Sequence, residues 1–238
     1  MQSVLSVLYP PKCISCDAPT ETDFALCGAC WRETPFIEGH VCDLCGDPLP
    51  GEADGHEDYC DACLATQRPW SRGRAALLYK GNARRLVLAL KHGDRPELAR
   101  ASAPWLARAA TPLLLADTLI VPVPIHWSRR LKRRYNQSAE LGRALARTLC
   151  LDHQPDALCR HKRTRPHEGM DAETRFANMQ NAVLAHPKHG KVLAGRNVLV
   201  LDDVMTSGAT FDAATHACLD AGAKSVQVLA LARVARDA

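Results

Sequence analysis

No run in the sequence approaches the roughly 20 apolar residues that cross a bilayer, and the apolar stretch 3–9 is short, with no basic segment before it. These absences lead us to expect no signal peptide, no membrane insertion and a cytoplasmic protein. Basic residues are nearly missing from the first 65 positions, where Lys12 and Arg32 stand against twelve acidic residues, a net charge of −10. Positions 66–238 carry 28 basic and 14 acidic residues, +14, and the two parts sum to the +4 of the whole chain. The ten histidines show no metal-ligand spacing of their own, so each is expected to be a surface or packing residue. What remains is an ordinary globular composition, 47% hydrophobic and 24% charged, which excludes wholesale disorder. A length of 238 residues suits one full domain and something smaller.

Eight of the eleven cysteines fall in the acidic part, and in a reducing compartment such a number points to metal rather than disulfides. They form four CxxC knuckles: Cys13/Cys16, Cys27/Cys30, Cys42/Cys45 and Cys60/Cys63. A knuckle places two sulfurs on one ion, and tetrahedral Zn2+ takes two knuckles. Sequential pairing (Cys13/Cys16 with Cys27/Cys30, Cys42/Cys45 with Cys60/Cys63) is favoured, but the spacing is also compatible with an interleaved cross-brace joining the first knuckle to the third. Four thiolates per ion leave no open position, so the two zinc ions are structural and supply much of the folding free energy of a segment with little core. Eight thiolates around two ions add −4, which cancels the formal +4. Charge, cysteine content and composition all change over 64–70, dividing the chain into a double zinc-ribbon module, 1–66, and a second domain, 67–238. Cys150, Cys159 and Cys218 receive no role, Cys218 being a small core residue of a helix.

The second domain alternates strand-like and helix-like patterns. Strands are expected at 75–79, 119–123, 198–201 and 225–231, and helices at 83–91, 97–110, 139–149 and 210–221. Residues 198–201 are continuously apolar, as in a parallel strand buried on both faces. That strand runs into Asp202-Asp203, a turn rich in Thr, Ser and Gly, and a helix, so the polar residues stand at a strand's carboxyl end, where open α/β sheets bind ligands. In Thr206-Ser207-Gly208-Ala209-Thr210, small residues let backbone amides converge, three hydroxyls offer donors and the helix dipole adds to them. The preceding carboxylates suit sugar hydroxyls or Mg2+. The ligand these residues imply is a phosphorylated sugar with a metal.

The string VLVLDDVMTSGAT, 198–210, closely resembles the phosphoribosyl pyrophosphate motif of type I phosphoribosyltransferases. By that resemblance Asp202 and Asp203 hold the ribose hydroxyls, and Thr206, Ser207, Gly208, Ala209 and Thr210 bind the 5′-phosphate. The CxxC knuckles, YKGNARRLVLALKHGD at 79–94, VPVPIHWSRRLKRRYNQSAEL at 121–141 and RTRPHEGMDAETRFANMQNA at 163–182 follow the order of the ComF family over nearly the whole chain. Its members are bacterial proteins joining a double zinc ribbon to a phosphoribosyltransferase domain and linked to natural competence, DNA uptake and, in some, sugar-acid utilisation. The resemblance implies an α/β fold, a phosphoribosyltransferase-like parallel sheet flanked by helices with a small N-terminal double zinc-ribbon module. This sequence departs from the family where Arg134 replaces the usual Gly before Tyr135, and where His167 replaces a frequent Gln.

Arg129, Arg130, Lys132, Arg133 and Arg134 put five cations in six residues. Pyrophosphate contact, nucleic-acid backbone contact and a solvated face are all open for them. Arg160, Lys162, Arg163 and Arg165 precede a stretch rich in Pro, Gly and charge that reads as either a substrate-closing loop or an ordinary surface loop. Trp105 is expected in the core, whereas Trp127 and Tyr135 are candidates for stacking on bases.

Two functions from different classes follow. One is a Mg-dependent phosphoribosyltransferase acting with phosphoribosyl pyrophosphate on an unidentified acceptor. The other is a non-catalytic single-stranded DNA-handling competence factor that keeps the pocket as a sensor. The acidic ribbon module would then contact competence or recombination proteins, and the basic second domain would contact DNA.

Overall fold

The computed structural model of the chain describes residues 10–92, 95–125, 135–160 and 182–235. Two short helices, α1 (Gly28–Glu33) and α2 (Asp61–Ala65), belong to the cysteine-rich region. Then come β1 (Arg72–Leu78), α3 (Gly81–His92), α4 (Glu97–Ala110), β2 (Thr118–Pro122), α5 (Gln137–Leu149), β3 (Asp152–His153), β4 (Leu158–Arg160), β5 (Val183–Ala185), β6 (Asn197–Met205), α6 (Ala209–Asp220) and β7 (Ser225–Arg233).

Five strands form one sheet in the order β1-β7-β6-β2-β3, and every pairing in it is parallel. β4 and β5 form a separate antiparallel hairpin. The chain steps outward from β2 to β3 and then returns across β2 to lay down β6. A reversal of that kind leaves a crevice at the carboxyl ends of the two strands on either side of it, here β2 and β6. The sheet agrees with the fold class expected from the sequence.

Successive side chains of a strand point to opposite faces, and both faces of this sheet are covered. Ile120, Leu199, Leu201, Leu229 and Leu231 pack with residues of α3, α4 and α5. Leu119, Val121, Val198, Val200, Val226 and Val228 face Phe211, Ala214, Ala217 and Cys218 of α6, the β4–β5 hairpin and the second cysteine cluster. The uninterrupted apolar runs of the sequence have this cause. Cys218 is a buried member of that core, as expected.

The predicted elements recur with shifted ends, and one shift matters. β6 continues four residues past 201, because Asp202, Val204 and Met205 still pair with Ala230, Ala232 and Arg233 of β7. The acidic pair therefore sits on rigid strand rather than in a turn. α5 begins where Asn136 Oδ1 accepts the Ser138 amide, and it ends on Cys150, which takes the left-handed conformation usual for glycine, φ +54°. Trp105 is only half-buried, packed edge-on against Phe36 at 5.4 Å.

Candidate functional site

The four sulfurs of Cys13, Cys16, Cys27 and Cys30 lie within 4.8 Å of one another, as do those of Cys42, Cys45, Cys60 and Cys63. The pairing is sequential; the cross-brace alternative is not formed. Cys16 Sγ–Cys27 Sγ is 3.7 Å and Cys45 Sγ–Cys60 Sγ is 3.6 Å, close to the edge of about 3.8 Å in a tetrahedron with Zn–S arms of about 2.3 Å. None of the eight is in a disulfide. Burial lifts the Cys13 thiol, but amide hydrogen bonds from Cys27, Ser15 and Cys16 outweigh it and bring it down to about 6. These donor sets fit two zinc ions.

Each cluster is built the same way. The first knuckle sits in a hairpin closed by a bridge, Lys12↔Pro19 in one and Val41↔Pro48 in the other. The second caps a short helix, Cys27 before α1 and Cys60 before α2. The residue following the first knuckle is left-handed in both, Asp17 at φ +60° and Gly46 at φ +68°. Asp17 is exposed and tolerates it. Gly46 presses on β1, where a Cβ would stand 2.7 Å from Ala75 N and 2.9 Å from Arg74 Cα.

At the crevice between β2 and β6, a cleft of about 280 Å³ is lined by Val123, Pro124 and Ile125 after β2, by Asp202, Asp203 and Val204 of β6, and by Thr206 and Thr210 beyond it. Tyr79, Lys91, Ser138, Arg160 and Val234 complete it. Ser138 Oγ donates to Asp202 Oδ1 at 2.7 Å, and the Asp203 amide donates to the same oxygen at 2.8 Å. Lys91 Nζ lies 3.0 Å from Asp203 Oδ1. Burial and then the neighbouring Asp203 charge push the Asp202 carboxyl up to about 7, against the pull of Ser138 and Lys91. One carboxylate is thus matched by a lysine and the other is half-protonated near neutrality. The pair therefore repels a nearby phosphate far less than two bare charges would.

The loop 206–210 turns at Gly208, φ +87°, and leads straight into α6. Thr206 and Thr210 reach the cleft. Ser207 is buried, its Oγ accepting from the Ala209 amide at 3.4 Å, so Ser207 is not among the cleft's lining. A larger groove, about 500 Å³, runs beside Trp31, Phe36 and Trp105. Its charges are matched to one another and to the ribbon, Arg108 to Glu38 at 2.6 Å and Arg74 to Asp43 at 2.6 Å. Of these two openings, the cleft is the one on which polar groups converge.

A double zinc ribbon domain profile matches residues 4–64. The DNA utilization protein YhgH of Escherichia coli K12 is 32% identical over 232 residues, covering 94% of this chain and 97% of that protein. Competence protein F of Haemophilus influenzae is 28% identical over 229 residues, covering 93% and 96%. The chain belongs to the ComF family. Among solved structures, the glutamine phosphoribosylpyrophosphate amidotransferase of B. subtilis aligns with a TM-score of 0.40 at 16% identity over 61% of this chain, which spans 30% of that one. A Staphylococcus aureus hypoxanthine phosphoribosyltransferase gives 0.35 at 12% identity, covering 57% of this chain and 62% of that one.

In this ComF family member, Lys91 and Ser138 are cleft residues that sequence reasoning did not single out. Both lie inside strings that carried the resemblance, 79–94 and 121–141, and Ser138 follows closely on the Asn136 cap. Tyr135 is partly buried against the core, and its hydroxyl donates to Leu90 O at 2.6 Å. Arg160 is the one member of the second basic cluster among the described residues, and it lines the cleft. Arg129, Arg130, Lys132, Arg133 and Arg134, with Trp127, Lys162, Arg163, Arg165 and His167, lie outside the described residues. No helix among the described residues is long and apolar enough to cross a membrane.

Proposed function

We propose that the cleft binds phosphoribosyl pyrophosphate and that the protein is a Mg-dependent phosphoribosyltransferase-like member of its family, acting in DNA uptake. The observation that carries this reading is the meeting of Asp202 and Asp203 with Thr206 and Thr210 at the carboxyl end of β6. Asp202 and Asp203 would accept the ribose hydroxyls, and the 206–210 loop at the amino end of α6 would hold the 5′-phosphate. Lys91, paired with Asp203, orients that carboxylate and limits its repulsion of the diphosphate. Mg2+ arriving with the diphosphate, held through Asp202 and Asp203, would neutralise charge on the leaving pyrophosphate. The protein's share is positioning and charge stabilisation: the bond from the ribose C1 to the pyrophosphate oxygen breaks, and a nucleophilic atom of the acceptor takes its place.

Calorimetric titration of phosphoribosyl pyrophosphate, with and without Mg2+, into the two-zinc protein and its Asp202→Asn/Asp203→Asn variant tests this. Binding is expected in the first and its loss in the second. Equal heats in both, or none in either, would overturn the reading.

A second reading, single-stranded DNA handling beside competence or recombination proteins, is supported by the names of the relatives and by the +14 charge of residues 66–238. The division at residue 66 would then separate an acidic module for protein contact from a basic domain for the phosphate backbone. Filter binding that shows no salt-sensitive affinity for single strands would remove it.

A further inference from the structure

The zinc clusters differ in what they hold. The first meets α3: Ser15 Oγ donates to Asn82 Oδ1 at 2.5 Å, and Asn82 Nδ2 donates to Cys30 O at 3.3 Å. The second is fastened to the segment 205–211, which contains the loop, at three places. Arg233, the last residue of β7, pairs with Asp47, two residues beyond Cys45, at 2.9 Å. Its Nη1 also lies 3.0 Å from the sulfur of Met205, where the loop begins. Arg68, five residues beyond the ligand Cys63 in the segment between α2 and β1, donates from Nη1 to Ser207 O at 3.1 Å, and its guanidinium lies over the Trp70 ring, 5.4 Å from the centroid. Trp70, buried, donates from Nε1 to Leu44 O inside the Cys42/Cys45 knuckle. A Cβ on Gly208 would stand 3.1 Å from the Trp70 ring and 3.2 Å from Arg68 Nη1. Phe211, where α6 begins, packs edge-on to the same ring at 6.4 Å.

These contacts orient the loop as well as cover it. In a trans peptide the carbonyl and the following N–H point in opposite directions. Holding Ser207 C=O on Arg68 therefore turns the Gly208 N–H away from the ribbon. Arg68 keeps its place because its planar guanidinium lies over Trp70, which is itself bonded to Leu44 O of the knuckle, while donating to the loop carbonyl, a combination that one ammonium head does not reproduce.

We propose that the second zinc site is coupled to the phosphate loop, with Arg68 as the positioning residue that joins them. This rests on the reading of 206–210 as a phosphate loop. Coupling between two sites is reciprocal, so zinc at Cys42/Cys45/Cys60/Cys63 strengthens sugar-phosphate binding, and a sugar phosphate slows zinc loss from that cluster.

The test follows zinc release from the full-length two-zinc protein into a chromogenic chelator, with and without saturating ribose 5-phosphate. Two phases are expected, and the Cys16→Ser variant identifies the one belonging to the first cluster. Ribose 5-phosphate should slow the other phase about 5-fold or more, the lower end of usual coupling, and leave the first unchanged. Arg68→Ala should abolish that protection while still binding two zinc ions, and Arg68→Lys should not restore it. Equal slowing of both phases, or full protection in Arg68→Ala, would overturn the coupling. Hydrogen exchange of the peptide 206–212 without any ligand decides the matter independently, since Arg68→Ala should exchange faster there at unchanged zinc content. Unchanged exchange refutes the role of Arg68. If the wild type binds neither ribose 5-phosphate nor phosphoribosyl pyrophosphate, the proposed function fails, and the exchange result still judges the link.

Discussion

Replacing Arg233 by methionine should do more damage than replacing its partner, Asp47, by asparagine. The two side chains are 2% and 10% exposed and meet through two contacts, Nε to Oδ1 at 2.9 Å and Nη2 to Oδ2 at 3.2 Å. Burial draws the guanidinium pKa down, but Asp47 and the Cys45 and Cys60 sulfurs outweigh it and hold it above its ordinary value. Four thiolates on one Zn2+ carry −2, so Arg233 serves two anions at once. In Arg233→Met both Asp47 and the zinc cluster lose their counter-charge. Breaking a buried pair costs about 3–5 kcal/mol, or about 6–20 °C in Tm at about 2–4 °C per kcal/mol for a chain of this size. In Asp47→Asn the cation still faces the zinc thiolates and the amide oxygen still accepts. The loss is then that of a charge-assisted hydrogen bond, about 1.5–3 kcal/mol or about 3–12 °C. Thermal melts followed by near-UV dichroism, on protein verified to hold two zinc ions, make the comparison. If Asp47→Asn melts as low as Arg233→Met or lower, the zinc cluster does not act as the second anion, and the argument is wrong.

Gly46→Ala should lower Tm by more than about 4 °C, since the left-handed backbone alone costs a Cβ about 1–2 kcal/mol and the added atom also meets the β1 backbone. Asp17→Gly at the matching exposed turn should leave Tm unchanged or raise it. For Asp202, pushed up to about 7, the folded chain keeps a proton that the unfolded chain has released. Its stability contribution is therefore complete below the ordinary carboxylate range and is lost as pH rises through about 7. Binding to the ribose hydroxyls needs the ionised form, so affinity for phosphoribosyl pyrophosphate should rise as pH passes upward through about 7, and this step should be missing in Asp202→Asn. The ligand's own phosphate titration is common to both proteins, so identical profiles would refute the assignment.

The strands, the helices, the zinc ligands and the acidic pair were legible because each is written locally. CxxC spacing fixes two sulfurs within one turn of chain, and apolar runs mark strands buried on both faces whatever lies beside them. The end of β6 was not legible in this way: its polar residues suggest a strand end at 201, whereas pairing with β7 carries the strand on to Met205. Lys91 and Asp203 are 112 positions apart, and Arg68 and Ser207 are 139 apart. No periodicity or spacing relates such residues; packing alone brings them together. The sequence by itself determined that the chain holds two four-cysteine clusters and a βα sheet with an acidic pair and a turn rich in Thr, Ser and Gly at a strand end. Only the tertiary structure decided that the knuckles pair sequentially, that Asp203 has a lysine while burial raises the Asp202 carboxyl, and that one zinc cluster stands directly behind the loop. Those facts depend on burial and on contacts between distant segments, which come into being only when the sheet is assembled.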